Sequence, residues 1–170
     1  MKKLFILVTF LFVTAFFYGE QKPSAPKTLP KIDLILVEKA SRVMSIFHKG
    51  TKLKTYKIAL GFSPVDHKEQ EGDGKTPEGV YFVSHKYPNS QFYLALQVSY
   101  PNAHDQKNAK KKGISAGGEI MIHGLGKTFA WLGKLHVNND WTLGCVAVTN
   151  EEIKEIYDAT AIGTKIEIRP

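Results

Sequence analysis

A series of short β-favouring runs, each bounded by Gly, Pro or Asn, limits the folds open to this chain more than any other pattern. In residues 52–60 the apolar side chains of Tyr56, Ile58 and Leu60 stand at alternate positions, as in a strand that buries one face. The predicted strands are residues 32–37, 43–48, 52–60, 80–84, 92–100, 119–122, 146–149 and 165–168. This succession predicts a mainly β fold, with a β-sandwich or barrel-like architecture rather than an alternating α/β one.

One segment, at about residues 150–160, has a convincing helical pattern. Asn150 is the expected N-cap, and acidic residues follow it at the positive end of the helix dipole. Ile153, Ile156 and Tyr157 are spaced to line one helical face, and Gly163 is expected to end the segment. The sequence therefore predicts one clear helix in the C-terminal half of the chain.

The N-terminal residues are typical of an exported protein. Lys2 and Lys3 precede an apolar stretch, residues 4–17, that only two threonines interrupt. A membrane-spanning helix needs about 20 apolar residues, so this shorter stretch favours a signal peptide over residues 1–19. Phe17 makes a poor cleavage site, which leaves retention of residues 4–17 as a membrane tether open. We expect an exported protein of the periplasm or cell envelope, either free or anchored to the inner membrane.

Residues 20–31 carry three prolines among polar residues and are interpreted as a linker, which leaves residues 32–170 as one domain. The net charge is +7, or +5 without Lys2 and Lys3. A positive surface attracts anionic polymers, and an exported protein meets the cell wall and lipid surfaces rather than nucleic acid. The basic run 107–112 is interpreted as a solvated loop.

Cys145 is the single cysteine of the chain, so it has no intramolecular disulfide partner. In an oxidising compartment cysteines are usually paired, so an unpaired thiol suggests chemistry. The alternative is that Cys145 is a small buried apolar residue, as free cysteines often are.

The surroundings of Cys145 favour a nucleophile. A cysteine attacks as the thiolate, so a nearby imidazole must take the proton. His123 follows an apolar run, which places it at the end of a buried strand. Gly144 precedes Cys145 in a turn where backbone N–H groups can converge on the oxyanion of an attacked carbonyl. The predicted reaction class is acyl transfer through a thioester.

Two other motifs carry less weight. Gly74-Lys75-Thr76 ends like a phosphate-binding loop, but the required upstream glycine is Glu69 and Pro77 disfavours the helix that must follow. A catalytic zinc held by His123, His136 and Cys145 is a further alternative, but these spacings match no common zinc signature.

The motifs together resemble the L,D-transpeptidase catalytic domain family (YkuD-like), in its murein-acting branch with an Asp-Trp-Thr-x-Gly-Cys motif. The similar segments are Ile122-His123-Gly124, Asp140-Trp141-Thr142-Leu143-Gly144-Cys145 with the following residues 146–150, the loop 72–79, residues 99–102 with Asp105, and Gly163-Thr164. They extend over roughly residues 32–170. The resemblance implies a mostly β fold, a substrate among the stem peptides of peptidoglycan, and no metal or organic cofactor.

The resemblance also implies roles for individual residues. Cys145 matches the nucleophile and His123 the general base, with the Gly124 carbonyl orienting the imidazole. The backbone N–H groups of Gly144 and Cys145, together with Leu143, match the oxyanion hole. Candidates for the cleft are Thr142, Trp141 and Asp140, although Trp141 fits a core position equally well.

Two positions depart from the commoner family pattern. Leu143 stands where that pattern has a histidine, and Ala147 stands where it has an arginine. The missing arginine removes a fixed positive charge, so substrate preference does not transfer with the motif. His136 is a candidate for a substitute imidazole, but the sequence favours a surface position for it.

The motif leaves the acceptor open. With an amine from a second stem peptide the enzyme is a transpeptidase, which is the favoured interpretation. With water it is a carboxypeptidase, endopeptidase or amidase. A non-catalytic wall-binding module that retains the fold is the third hypothesis, and the oligomeric state is open.

Overall fold

The computed structural model describes residues 28–170. The predicted signal peptide and most of the predicted linker lie outside the described residues, so the domain boundaries stay predictions. None of the helices between residues 28 and 170 is long and apolar enough to cross a lipid bilayer.

The described chain is mainly β, as the sequence predicts. Its elements are β1 (Ile32–Glu38), β2 (Val43–His48), β3 (Thr51–Lys57), β4 (Gly79–Ser90), β5 (Tyr93–Val98), α1 (Ala103–Lys112), β6 (Met121–His123), α2 (Gly126–Phe129), a 3-10 helix (Ala130–Asn138), β7 (Val146–Ala147), α3 (Asn150–Ala159) and β8 (Thr160–Arg169). The strands form one eight-stranded sheet in the order β3-β2-β1-β8-β4-β5-β6-β7. This curled sheet is the barrel-like architecture expected from the succession of short strands.

The C-terminal strand β8 holds the two halves of the sheet together. It pairs in parallel with β1 and antiparallel with β4, so that Ile166 lies opposite both Ile35 and Tyr81. All three side chains are buried, since alternate residues of each strand point to the same face. The hydrophobic core of the domain consists largely of β-branched and aromatic residues, including Ile32, Val37, Ile46, Tyr56, Val83, Ile153 and Ile156.

The curl also brings the chain just beyond one edge strand to the other edge. Ala59, shortly after β3, exchanges backbone hydrogen bonds with Ala147 of β7, with N···O distances of 3.1 and 2.9 Å. Three residues further on, Phe62 N–H donates to the Thr142 carbonyl at 2.9 Å. The cysteine motif is therefore held between β6 and residues 59–62.

The predicted C-terminal helix is confirmed as α3, with two corrections. Its N-cap is Thr149 rather than Asn150, because the Thr149 hydroxyl accepts from Glu152 N–H and the Glu152 carboxylate accepts from Thr149 N–H. The helix ends at Ala159, where β8 begins, and Gly163 lies inside that strand instead of ending the helix.

The basic run 107–112 is not a loop, as the sequence suggested, but the second half of α1. Asn102 caps this helix and Gly113 ends it in the left-handed conformation. Only Asp105 and Ala109 of the helix are buried. The sequence of α1 therefore has almost no amphipathic pattern. Polar contacts attach the helix to the sheet instead, such as the hydrogen bond of 3.0 Å that Tyr81 O–H donates to the Asp105 carboxylate.

Three glycines allow the loops beneath the cysteine motif to touch. A Cβ atom on Gly61 would collide with the carbonyl oxygen of Gly74 and lie 2.9 Å from the Cα of Gly144. Both neighbours are backbone atoms, so neither can move without shifting a whole loop. The loop packing at this point therefore requires the absence of a side chain.

We expect Gly61→Ala to lower the free energy of unfolding by about 3 kcal/mol, since the added methyl group overpacks backbone against backbone. Urea unfolding measures the change. Gly118→Ala is the matched control, because a Cβ there would meet only Pro101 Cδ, at 4.0 Å. Equal stability of the two variants would contradict the loop packing described here.

Candidate active site

Two short parallel strands carry His123 and Cys145 on adjacent backbones. In the register of β6 and β7, Ile122 lies opposite Val146 and His123 lies opposite Ala147. His123 is the last residue of β6, and Cys145 directly precedes β7. Both residues line the same cavity, which has a volume of about 790 Å³. The structure thus brings together the two residues that the sequence predicts to be catalytic.

The ring of His123 is held in one tautomer. Its Nδ1 lies 2.6 Å from the carbonyl oxygen of Gly124. Because a carbonyl oxygen only accepts, Nδ1 must carry the proton and Nε2 keeps its lone pair. This hydrogen bond to the Gly124 carbonyl fixes the orientation of the imidazole.

Burial keeps His123 neutral. The side chain is 1% exposed, and Phe92 stacks on the ring with the centroids 4.3 Å apart. Loss of hydration, with a smaller contribution from nearby His136, lowers the pKa of His123 to about 4, against the opposing effect of the Gly124 hydrogen bond. At neutral pH the imidazole can therefore accept a proton.

The thiol of Cys145 is also neutral at rest. Its Sγ donates a hydrogen bond to the Glu119 carbonyl oxygen at 3.5 Å. Burial raises the pKa of the Cys145 thiol, while a hydrogen bond with the Met121 backbone and, to a smaller extent, the positive charge of Lys68 oppose this. A neutral thiol beside a neutral imidazole requires proton transfer before or during nucleophilic attack, rather than a resting thiolate.

Two of the three predicted cleft residues, Thr142 and Trp141, line the cavity. Leu143, predicted to belong to the oxyanion turn, lines it as well. Trp141 contacts the ring of His123 edge-on, with the centroids 6.0 Å apart, and also contacts Phe92 and Phe129. Leu143 is 75% exposed. Trp141 is therefore both a wall of the cleft and a packing contact of the histidine.

The turn before the nucleophile is closed by Thr142. Its hydroxyl donates to the Cys145 carbonyl at 2.8 Å and accepts from Gly144 N–H at 3.1 Å. The predicted oxyanion donor of Gly144 is thus engaged inside the turn, where it must exchange partners to bind a substrate oxygen. Gly144 itself has φ of 131°, and a Cβ there would lie 2.5 Å from the Lys75 carbonyl oxygen.

Asp140, predicted to lie in the cleft, is not among the residues that line it. Its carboxylate accepts from Arg42 Nε and Nη2, with distances of 2.9 and 2.7 Å to Oδ2, and from Leu60 N–H at 2.9 Å. These contacts fix the start of the cysteine motif to the chain between β1 and β2 and to the chain after β3. The role of Asp140 in the structure is to position the motif.

The start of α3 braces the histidine from the other side. Asn150, which the sequence suggested as a helix cap, accepts from Leu125 N–H at 2.8 Å through Oδ1. A Cβ on Gly124 would lie 2.6 Å from the same oxygen and 2.9 Å from Ile153 Cγ2. The backbone around Gly124 is therefore fixed by close packing against the helix.

Several residues of the site carry no signal in the sequence. Phe92 and Lys68 lie far from both catalytic candidates in the chain, and only the fold brings them to the cavity. His136 is 4% exposed, so the expectation of a surface position is wrong. Burial lowers its pKa as well.

The alternative sites find little support in the geometry. Within residues 28–170, no group of three or more His, Cys, Asp or Glu side chains is arranged to hold a metal ion. The Gly74-Lys75-Thr76 segment leads into β4 at Gly79 and not into a helix, so it lacks the shape of a phosphate-binding loop.

Comparison with known proteins identifies the family to which this fold and these motifs belong. The family model of the L,D-transpeptidase catalytic domain (YkuD) matches residues 32–168. The chain belongs to the L,D-transpeptidase catalytic domain family. The resemblance predicted from the His-Gly and Gly-Cys segments is thus confirmed.

Other proteins match this L,D-transpeptidase domain in sequence or in fold. YafK of Escherichia coli (strain K12), provisionally named an L,D-transpeptidase, is 30% identical over 129 residues, covering 72% of this chain and 45% of YafK. The helical cell shape determining protein Pgp2 of Campylobacter jejuni has a similar fold, with a TM-score of 0.63 at 24% identity over 84% of this chain and 50% of Pgp2. An L,D-transpeptidase from Mycobacterium smegmatis matches with a TM-score of 0.55 at 14% identity, covering 82% of this chain and 59% of that protein.

The chain spans about half the length of these relatives. The shared part is the catalytic domain, with the curled sheet described above. Likeness at these identities to the solved structures establishes the fold and leaves the reaction to be tested.

Acid should destabilise the wild-type protein more than a His123→Gln variant. The native pKa of His123, about 4, is below its ordinary value of 6.5, so the unfolded chain binds the proton first and stability falls as pH drops from 6.5 towards 4. Between pH 7 and pH 5 the free energy of unfolding of the wild type should fall by ~2 kcal/mol more than that of the variant. Urea unfolding at both pH values measures it, and an equal loss in the two proteins would contradict a buried neutral imidazole.

Proposed function

We propose that this domain catalyses cysteine-dependent acyl transfer on peptidoglycan stem peptides through a thioester. The observation that carries the proposal is the placement of Cys145 and His123 on one open cavity, with the histidine held as the tautomer whose Nε2 accepts a proton. Membership in the L,D-transpeptidase family supports the substrate class and the reaction.

In the acylation step the Nε2 atom of His123 takes the thiol proton and Sγ of Cys145 attacks the carbonyl carbon of the substrate amide. A carbon–sulfur bond forms, the carbon–nitrogen bond breaks, and the imidazolium returns its proton to the leaving amine. Backbone N–H groups of the 143–145 turn stabilise the oxyanion, with Gly144 N–H exchanging the Thr142 hydroxyl for the substrate oxygen. The resting neutral pair suits this sequence, since no charge has to be buried before substrate arrives.

In the second step an acceptor amine attacks the thioester carbon, His123 takes a proton from the amine, and the thiol is regenerated. The acceptor is a second stem peptide in a transpeptidase. Water in the same position gives hydrolysis, the runner-up for this domain. Neither course requires a metal or an organic cofactor.

A role in the cell wall agrees with the relatives. Pgp2 of Campylobacter jejuni is named a helical cell shape determining protein, and Pgp2 shares the fold of this domain. The net charge of +7 suits a polymer that carries free carboxylates. We therefore propose that the domain cross-links or remodels peptidoglycan.

Incubation with purified muropeptides tests the reaction. We expect joined stem peptides by mass spectrometry, no product from Cys145→Ala, and a rate about 10³-fold lower for His123→Ala, because both steps lose their base. Lys107→Ala, on the exposed side of α1, is a control that should keep full activity.

Each product pattern has a distinct meaning. Shortened stems without joined products would replace the transpeptidase proposal with hydrolysis. Turnover by Cys145→Ala would refute the nucleophile. A folded wild-type protein that binds muropeptides without converting them would instead favour the wall-binding module.

We further propose that the chain is exported, to the periplasm or cell envelope, by the apolar residues 4–17. Replacing Leu7 and Leu11 with Arg interrupts this stretch and should leave the protein in the cytosol, since charged residues oppose membrane insertion. Cell fractionation with mass spectrometry of the N-terminus measures the outcome. A soluble processed form indicates cleavage, an unprocessed membrane form indicates a tether, and a wild-type protein in the cytosol would refute export.

A further inference from the structure

Lys68 places a positive charge in the wall of the catalytic cavity. Its side chain is 3% exposed, yet it lines the same cavity as Cys145 and His123. The acidic residues that line this cavity, Glu71 and Glu119, are both exposed. Burying an ammonium group costs free energy unless hydrogen bonds and opposite charges compensate for the lost hydration. The bonding partners of Lys68 therefore decide whether its charge is available in the cavity.

The ammonium of Lys68 is bonded on two sides only. It donates to the Asp73 carboxylate at 2.7 Å and to the Gln70 carbonyl oxygen at 3.0 Å. An ammonium has three N–H donors, and the third has no hydrogen-bond partner among residues 28–170. One donor of a buried cation is thus available to a ligand.

Asp73 does not cancel this charge on its own, because its carboxylate is shared. Its oxygens also accept backbone N–H groups from Glu69 at 2.9 Å, Gln70 at 3.0 Å and Lys75 at 3.0 Å. Burial acts to raise the pKa of Asp73, but these donors and Lys68 outweigh it and hold the pKa at about 2. Because Asp73 is shared among these donors, its negative charge only partly neutralises Lys68. The ammonium therefore keeps a positive potential on the side that faces the cavity.

We propose that Lys68 is a substrate-binding residue that pairs with a carboxylate of the acyl donor and so selects anionic peptides. The inference rests on the proposed function, which places a peptide amide at Cys145. The charge of Lys68 also favours the anionic form of the Cys145 sulfur, in agreement with a location near the reacting atoms. A carboxylate bound there completes the third hydrogen bond of the ammonium and replaces the lost water.

Charged thiol reagents test the site without any turnover. Sulfonatoethyl methanethiosulfonate is anionic and trimethylammonioethyl methanethiosulfonate is cationic. Each forms a disulfide with the Cys145 sulfur and releases methanesulfinate. The ratio of the two labelling rates reports the charge next to the thiol, independently of how reactive the thiol is.

We expect Lys68→Met to lower the ratio of anionic to cationic labelling roughly tenfold, the size of one lost hydrogen bond between charged groups. Lys68→Arg should keep most of the ratio, and Asp73→Asn should raise it by removing the countercharge. The matched control is Lys75→Met, which removes the same charge from the same loop at a residue that pairs with Asp66 and does not line the cavity.

An unchanged labelling ratio in Lys68→Met would overturn the proposal, because Lys68 would then have no electrostatic effect at the thiol. An equal fall in Lys75→Met would also overturn it, because the ratio would then report the net charge of the loop and not the position of Lys68. If Lys68→Met does not fold, Asp73→Asn provides the test. A ratio of anionic to cationic labelling that does not rise in Asp73→Asn would contradict a positive potential at Lys68.

A second measurement identifies the carboxylate. Donor stem peptides are compared with a free and an amidated C-terminal carboxylate. Lys68→Met should raise KM for the free acid roughly tenfold relative to KM for the amide, whereas a change in kcat that arises from the Cys145 thiol should be the same for both donors. An equal change in KM for both donors would overturn carboxylate selection. If the wild type turns over neither donor, the acyl-transfer proposal fails, while the labelling ratio still decides whether Lys68 binds anions.

Discussion

The parallel pairing of β6 with β7 is the constraint on which the site depends. It sets His123 opposite Ala147, two residues after Cys145, so that His123 and Cys145 reach the same cavity from adjacent backbones. The hydrogen bonds between Ala59 and Ala147 hold the other side of β7. A β-strand of two residues has little stability of its own, and here it is fixed from both sides by neighbours that are distant in sequence.

Desolvation governs the chemistry of the pair. Burial lowers the pKa of His123 and raises the pKa of Cys145, so both groups are neutral in the resting state. In the proposed reaction the ion pair therefore forms only when the thiol proton moves to His123. The single hydrogen bond from Nδ1 to the Gly124 carbonyl then matters more than in an exposed histidine, since it leaves Nε2 as the one position for the transferred proton.

Supporting residues around the pair are mostly backbone contacts and bonded charges. Arg42 and Asp140 tie the cysteine motif to the first hairpin, Asn150 ties the residues after His123 to α3, and the glycines let neighbouring loops touch. Asp140 is part of the motif that identifies the family, yet it lies outside the cavity. A residue can thus belong to a catalytic motif because it holds the chain in place.

Local patterns along the chain were enough to predict the strands, α3, the family and the pairing of Cys145 with His123, because alternation, capping residues and the Gly-Cys turn act over a few neighbouring residues. Helix α1 was missed since its stability comes from polar contacts such as Asp105 with Tyr81, which no hydrophobic period records. The buried position of His136, the stacking of Phe92 on His123 and the entry of Lys68 into the cavity depend on how the sheet curls. That curl joins residues far apart in sequence, and such contacts are settled by packing of the whole domain and not by local preference.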